Sequence, residues 1–513
     1  MYMNERLYYF IIGLVVLLAI TIPYLYAAQA GGSDYIFGGF LMNVWDGNSY
    51  LAKMYQGWRG EWRFTLPYTA EAGEGGYLNT FYLGLGHMAR ILKIPLLLAF
   101  HFARVLGTGC LLWALARFYR SLFPSPQSRK LAFAISALGS GLGWLAIPFG
   151  AFTADFWVAE TYPFLSAYVN PHFVFGLAIV VWLVTPLTKK HPLLSFSASL
   201  ALGLIAPFGV VIVIIVLGSS LLVEVWKARI NLLTWLRDVQ PRCWNLIAVC
   251  LGGGPVLLYD YWITQSDPVL AGWNAQNLCI TPEIWDVLLA LSPVLVMAIY
   301  SIRQAWADKH SRLLVLWAGL GLVLIFVPWS LQRRFMMGLF IPLAGLAALG
   351  VEYLSMEIKS SYRVLMVILF IFSLPTNFMV LISGFHAVQT HELKIYFTVE
   401  ETQALAWIEE HTPHDALILA GPETGVFIPA RTGRRVIYGH PYETVDASKE
   451  EETVTKYFAG EMILNQAESL LETRGVDYIL VSPRERVLGE APGLSNAELL
   501  FSNNNVQIYG VLP

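Results

Sequence analysis

The stretch Tyr8-Tyr9-Phe10-Ile11-Ile12-Gly13-Leu14-Val15-Val16-Leu17-Leu18-Ala19-Ile20-Thr21-Ile22-Pro23-Tyr24-Leu25-Tyr26 decides the class of the chain. It is long enough to cross the hydrocarbon of a bilayer as a helix. Tyrosines stand at both ends, where amphipathic rings sit at headgroup level. Ala27-Ala28-Gln29-Ala30 behind it has the small residues of a leader cleavage site. The tyrosine belts favour a span that is retained. Outward from this run, the 513 residues are 56% hydrophobic and 13% charged, against about 25% charged in a soluble protein. A soluble chain so apolar would expose large patches and aggregate, a difficulty that a bilayer removes.

Apolar runs at 8–26, 93–116, 130–150, 171–187, 192–206, 207–226, 244–264, 284–302, 313–330, 335–353 and 363–384 predict about eleven spans in a polytopic α-helical membrane protein. The division at Pro207 is the least marked, since 192–226 also reads as one kinked segment. Basic residues set the orientation. With the N-terminus cytoplasmic, the inner connections carry Arg117, Arg120, Arg129 and Lys130, then Lys189 and Lys190, then Lys227, Arg229, Arg237 and Arg242. Arg303, Lys309 and Arg312 follow, then Lys359 and Arg363. The loops 151–170 and 265–283 hold no Lys or Arg and fall outside. The alternation requires an odd number of spans and places the chain after the last one outside, in a plasma-membrane protein.

The net charge of −3 gives no basic field for nucleic acid. Cys110, Cys243, Cys250 and Cys279 form no CxxC pair, so neither a disulfide framework nor a zinc site is suggested. The chain divides into a multi-span module, 1–385, with a long first outer loop, 27–92, and a soluble segment, 386–513. In the latter, helical patterns at 400–410 and 461–472 alternate with strands at 416–420, 436–438 and 478–481. That predicts a small α/β extracytoplasmic domain. Its Tyr438-Gly439-His440-Pro441-Tyr442-Glu443-Thr444 reads as a turn beside a strand, whose polar residues also suit an acceptor.

In the first outer loop, Asn43-Val44-Trp45-Asp46-Gly47-Asn48-Ser49-Tyr50 precedes Leu51, Met54, Tyr55, Trp58 and Trp62 at helical spacing. This predicts an amphipathic helix lying in the membrane interface, with Lys53, Gln56, Arg59 and Glu61 mostly on its other face. Asp46 is either a helix cap, a role Asn48 or Ser49 also fits, or a base at the water–bilayer boundary. The glycine-rich 71–76 is a lid or a plain connection, and Gly84 and Gly86 allow close helix approach. The second outer loop offers Asp155 and Glu160 as an acceptor or second acidic site, with His172 and Asn170 at the next span's mouth. Each acid is otherwise a solvated loop residue, and His172 a packed helix-start histidine. Arg333 and Arg334 sit on an outer boundary, against the positive-inside rule. They suit a lipid phosphate, or snorkel to headgroups.

In its layout over residues 1–385 the chain resembles the GT-C superfamily of membrane glycosyltransferases, which use polyprenyl-phosphate-linked or polyprenyl-diphosphate-linked sugars. Asp46, Asp155 or Glu160, and Arg333 with Arg334 stand where those enzymes carry a catalytic Asp, further acids and a basic residue near the donor phosphate. The resemblance implies sugar transfer with inversion: Asp46 catalytic, Arg333 and Arg334 on the donor phosphate, and Tyr50, Tyr82 and Asn170 lining the substrate. The mannosyltransferase-like and aminoarabinose-transferase-like members are the nearer in character. A compact Asp-x-Glu motif and a WWD-type motif are absent, which argues against oligosaccharyl transfer to protein. No cofactor is certain, and a divalent cation is compatible with the acids. The expected partners are the lipid-linked donor, membrane lipid, and a glycan, lipid or protein acceptor, with no nucleic acid. A transporter or flippase, or a non-catalytic GT-C-like protein, is the alternative. Against the former, the sequence shows no internal repeat of the kind common in transporters, and its notable charges lie in outer loops. On the enzyme reading, Asp46, one of the loop acids and one of the arginines share an outward cavity.

Overall fold

In a computed structural model of the chain, each apolar run becomes helix, because a helix satisfies its own backbone where water is absent. The structure describes residues 4–186, 191–228, 232–359, 361–492 and 497–511. Lys189, Lys190 and Arg229 lie outside the described residues, as do the side chains of Lys227 and Arg237.

Among the described residues, six helical segments are long and apolar enough to cross a membrane: Glu5–Ala30, Leu96–Leu122, Pro207–Trp226, Gln240–Ser266, Gln332–Glu357 and Tyr362–Gln389. Two bent pairs join them, Pro126–Leu138 with Gly143–Phe149 and Ile284–Leu291 with Val294–Ala307. Pro171–Val184, Pro192–Ile205 and Arg312–Leu324 are shorter apolar helices. The run 192–226 is two helices: Ala206 leaves the helical region (φ −151°) and Pro207 starts the second. The run 130–150 is broken instead, by 50°. There Gly141 lies so close to the Ala290 carbonyl that an added Cβ would meet it at 1.9 Å.

The chain forms two compact units, each discontinuous in sequence. The first comprises Met1–Pro23, His101–Tyr259 and Cys279–Gly384. Among its long apolar helices the most enclosed is Phe340–Glu357, buried at every position from 340 to 351, whereas the others keep wide apolar faces exposed. This helix packs on Pro126–Leu138 and Val294–Ala307.

The second unit comprises Tyr24–Phe100, Asp260–Leu278 and Phe385–Pro513, so the segments 24–100 and 260–278 fold with the C-terminal residues. Among the described residues the strands are β1 (Tyr35–Phe37), β2 (Tyr396–Thr398), β3 (Leu417–Leu419), β4 (Arg435–Val436), β5 (Tyr478–Val481), β6 (Glu498–Ser502) and β7 (Gln507–Gly510). β1 pairs antiparallel with β2, Ile36 opposite Phe397. The other five form one sheet in the order β4-β3-β5-β7-β6, parallel from β4 to β5 and antiparallel beyond. Its alternating side chains feed two cores. Ile418 and Leu480 pack with Ala404 and Ile408 of helix Val399–His411, and Leu417 and Ile479 pack with Tyr457 and Leu471. Helix Val399–His411 starts on a capping box of Thr398 and Glu401. The helix expected over 461–472 spans Leu464–Arg474.

Candidate active site

The helix after the first apolar run spans Val44–Arg59. It begins on Asn43 in the left-handed region (φ 51°), which makes no side-chain cap. Asp46 is therefore not the cap but lies in the first turn, where the helix dipole favours a carboxylate. Asn48 and Ser49 do not cap either: Asn48 Nδ2 donates to Val44 O at 2.8 Å, and Ser49 Oγ donates to Glu443 Oε1 at 2.6 Å. The interfacial helix expected here is also corrected. Residues 47–49 and 51–57 are buried, Lys53 and Gln56 included, while Trp58 and Trp62 are exposed. The polar residues found partners within the fold, which overrides the amphipathic pattern. Gln56 Nε2 donates to Thr65 O at 2.9 Å, and Lys53 meets Glu443.

Close packing holds this helix in place. Helix Thr80–Leu92 crosses it where an added Cβ on Gly86 would fall 1.9 Å from Met54 O. Gly84 has nothing within 4 Å of such a Cβ, so Gly86 alone of the two glycines serves the contact. Tyr50 and Tyr82 stack on each other at 4.2 Å with an 8° interplanar angle, and Tyr82 is buried. Tyr82 also stacks near Phe100, with ring centroids 6.2 Å apart. The glycine-rich turn is tied down: Phe64 and Gly76 exchange backbone hydrogen bonds at 2.7 and 3.0 Å, and Glu74 N donates to Asp267 Oδ2 at 3.1 Å.

Asp46 meets His440, with Oδ1 3.5 Å from Nε2; the Asp46 side chain is 46% exposed and that of His440 1%. His440 Nδ1 accepts from Tyr442 N at 3.1 Å. Glu443, three residues on, takes Ser49 and Lys53, and Lys53 Nζ also donates to Ser49 Oγ at 2.7 Å. Burial would raise the Glu443 carboxyl, but the charge of Lys53 and the hydrogen bonds from Lys53 and Ser49 outweigh it and hold it below the usual carboxylate range. What the sequence reading missed is the contact of Lys53 and Ser49 with Glu443. A lysine four residues after a serine on an otherwise buried helix face was the signal available.

The first unit holds the other candidates. Asp155 is fully buried, accepting from Thr153 Oγ1 at 2.6 Å, Thr376 Oγ1 at 2.8 Å and Gly143 N at 3.1 Å. Burial raises its carboxyl against those hydrogen bonds. Both of its oxygens are thus engaged within the first unit. Glu160 is buried and pairs with Arg334 at 3.4 Å, and its carbonyl accepts from Gly338 N at 2.9 Å. Arg333 stacks on the Trp157 ring at 4.8 Å, and its Nη2 lies 3.8 Å from Cys279 Sγ. Protein groups thus hold both guanidinium groups. His172 packs on Phe173 at 4.0 Å, while buried Asn170 leaves Nδ2 without a hydrogen-bond partner. Among the described residues no group of three or more His, Cys, Asp or Glu is placed to hold a metal.

No protein-family model and no curated protein sequence matches the chain. Its structure is similar to that of the archaeal oligosaccharyltransferase AglB from Archaeoglobus fulgidus, in complex with an inhibitory peptide and a dolichol-phosphate. The TM-score is 0.56 at 12% identity, over 93% of this chain and 70% of that one. It is similar to ArnT from Cupriavidus metallidurans in the apo state, at TM-score 0.50 and 10% identity, over 98% and 99% of the two chains. It is similar also to the arabinofuranosyltransferase AftD from Mycobacteria, at TM-score 0.53 and 14% identity, over all of this chain and 40% of that one. At these identities the likeness is one of fold: the chain shares the fold of these three solved structures.

Proposed function

We propose that this protein is an integral membrane glycosyltransferase that moves a sugar from a polyprenyl-phosphate-linked donor to an extracytoplasmic acceptor with inversion. The observation that carries the reading is the Asp46–His440 contact: an exposed carboxylate backed by a buried imidazole whose other nitrogen is already engaged. The fold supports it, since the solved structures it resembles are glycosyltransferases, one of them holding a dolichol-phosphate. Asp46 takes the proton of an acceptor hydroxyl as that oxygen attacks the anomeric carbon. The bond from carbon to phosphate oxygen breaks, and the polyprenyl phosphate leaves with added negative charge. Arg333 and Arg334, the latter set by Glu160, take the donor phosphate and stabilise that charge. A phosphate leaves with little acid assistance, so one base and a cationic clamp are sufficient. A divalent cation bound through the donor phosphate is compatible with this scheme.

With this function go eleven crossings, one for each apolar run, the N-terminus in the cytoplasm and the C-terminal sheet outside. The test is transfer from a panel of radiolabelled polyprenyl-phosphate sugars by purified protein. Wild type transfers, and Asp46→Asn loses about 100-fold or more in kcat. Equal rates in both would remove Asp46 from the chemistry. Solute transport abolished by Asp46→Asn, with no sugar ever transferred, would overturn the enzyme reading.

A further inference from the structure

The second unit places a buried chain of polar groups behind Asp46: His440, then Glu443 with Lys53. An imidazole nitrogen that accepts a backbone N–H carries no proton of its own. His440 Nδ1 accepts from Tyr442 N at 3.1 Å, so the ring proton of the neutral imidazole sits on Nε2. Nε2 is buried, makes no other hydrogen bond, and lies 3.5 Å from Asp46 Oδ1. That is longer than a formed hydrogen bond, as contacts in an unloaded catalytic site commonly are.

We propose that His440 is a positioning residue for Asp46, held as the Nε2–H tautomer by the Tyr442 backbone and presenting that N–H to the Asp46 carboxylate, with the Lys53–Glu443 pair fixing the turn that carries it. The proposal rests on the glycosyl-transfer reading and extends it to the fate of the proton. The acceptor hydroxyl loses its proton to Asp46 as the new glycosidic bond forms and the bond to phosphate breaks. Nε2 already carries a hydrogen and has no lone pair in the ring plane, so it cannot take that proton on. The proton leaves Asp46 for water through the carboxylate's exposed side. His440 therefore orients the base without relaying charge.

A relay and a positioning donor respond differently to glutamine. Gln places an N–H near the position of Nε2 but cannot shuttle a proton. In the transfer assay, His440→Ala is expected to lose about 10- to 100-fold in kcat with the acceptor KM changed by less than about threefold. His440→Gln should recover most of the loss. Equal impairment of Ala and Gln, or a fully active Ala variant, would overturn the proposal. The second measurement needs no activity: the nitrogen NMR spectrum of histidine-labelled full-length protein, the His440 ring assigned by its loss in His440→Gln. The proposal expects a protonated Nε2, a bare Nδ1, and an Nε2 resonance that moves in Asp46→Asn. A protonated Nδ1, or an Nε2 resonance indifferent to Asp46→Asn, would overturn it. If the spectrum is as expected and no donor is turned over, the fault lies with the glycosyl-transfer reading and not with the His440 contact.

Discussion

A buried ammonium group is stable only beside its partner, and Lys53 shows this at the scale of a single residue. It is 2% exposed, bonded to Ser49 and Glu443, with the Tyr50 and Phe64 rings 5.1 and 5.5 Å away. Removing one member of such a pair leaves the other charge buried without compensation, which costs about 3–5 kcal/mol. Lys53→Met alone should therefore lower the unfolding midpoint of the detergent-solubilised protein sharply. Lys53→Met with Glu443→Leu should recover most of it, because a hydrophobic pair of similar volume replaces the ion pair. A double variant no more stable than the single one would mean that the pair does not act as a unit. The sign of the pH effect follows from Glu443, whose carboxyl is held low in the folded protein. Its stabilisation is complete above the ordinary glutamate value of 4.5 and is lost as the pH falls from there through the depressed folded value. The double variant should lack that part of the acid sensitivity, measured by thermal unfolding between about pH 6 and pH 3.

Among the elements, what was legible in the sequence is what depends on neighbours along the chain. The apolar runs gave helices, and Pro207 gave the division of 192–226, because hydropathy and proline act locally. Helix Val399–His411 was legible from its apolar positions, and β5 from its continuous apolar residues. The bend after Leu138 was not; beside it Gly141 packs against the Ala290 carbonyl, far along the chain. β6 and β7 were missed because neither is a continuous apolar run like β5, and β6 is largely exposed. At the proposed site, Asp46 is a candidate read from its place after the first run. Its contact with His440 was not legible, since both belong to elements brought together only by the fold, as are Ser49 and Glu443, 394 positions apart. Two glycines test the packing of Thr80–Leu92 on Val44–Arg59. Gly86→Ala forces a Cβ against Met54 O and should destabilise by about 1–3 kcal/mol. Gly84→Ala meets open space and should stabilise by up to about 1 kcal/mol through helix propensity. Asp155 invites the matching test in the first unit. Asp155→Asn keeps an acceptor for Gly143 N and should transfer sugar within about threefold of wild type, whereas Asp155→Ala should lose stability by several hydrogen bonds, about 1–3 kcal/mol or more. A large loss of kcat in a stably folded Asp155→Asn would return Asp155 to the chemistry.

For the whole molecule, the decisive quantity is the parity of the crossings. Six long helices, two bent pairs and three shorter helices make eleven apolar elements among the described residues, one for each run read from the sequence. The shorter ones hold 13 or 14 residues, below the roughly 20 of a straight full crossing. A short helix crosses where the bilayer thins, where flanking residues snorkel or where the chain continues in irregular backbone buried by its neighbours. If all eleven cross, the two ends of the chain lie on opposite faces and the sheet β4-β3-β5-β7-β6 stands in the outer compartment with Asp46. If one short helix fails to cross, the parity changes, and the basic residues of every later connection face the side the positive-inside rule disfavours. A fluorescent reporter that matures only in the cytoplasm and a phosphatase active only outside, each fused after Pro513, distinguish the two. The expected result is an active phosphatase and a dark fluorophore, with the same pair fused after Arg242 giving the reverse. A bright fluorophore at both positions would remove the odd count. It would also place the Asp46–His440 pair on the wrong face for an acceptor outside the cell.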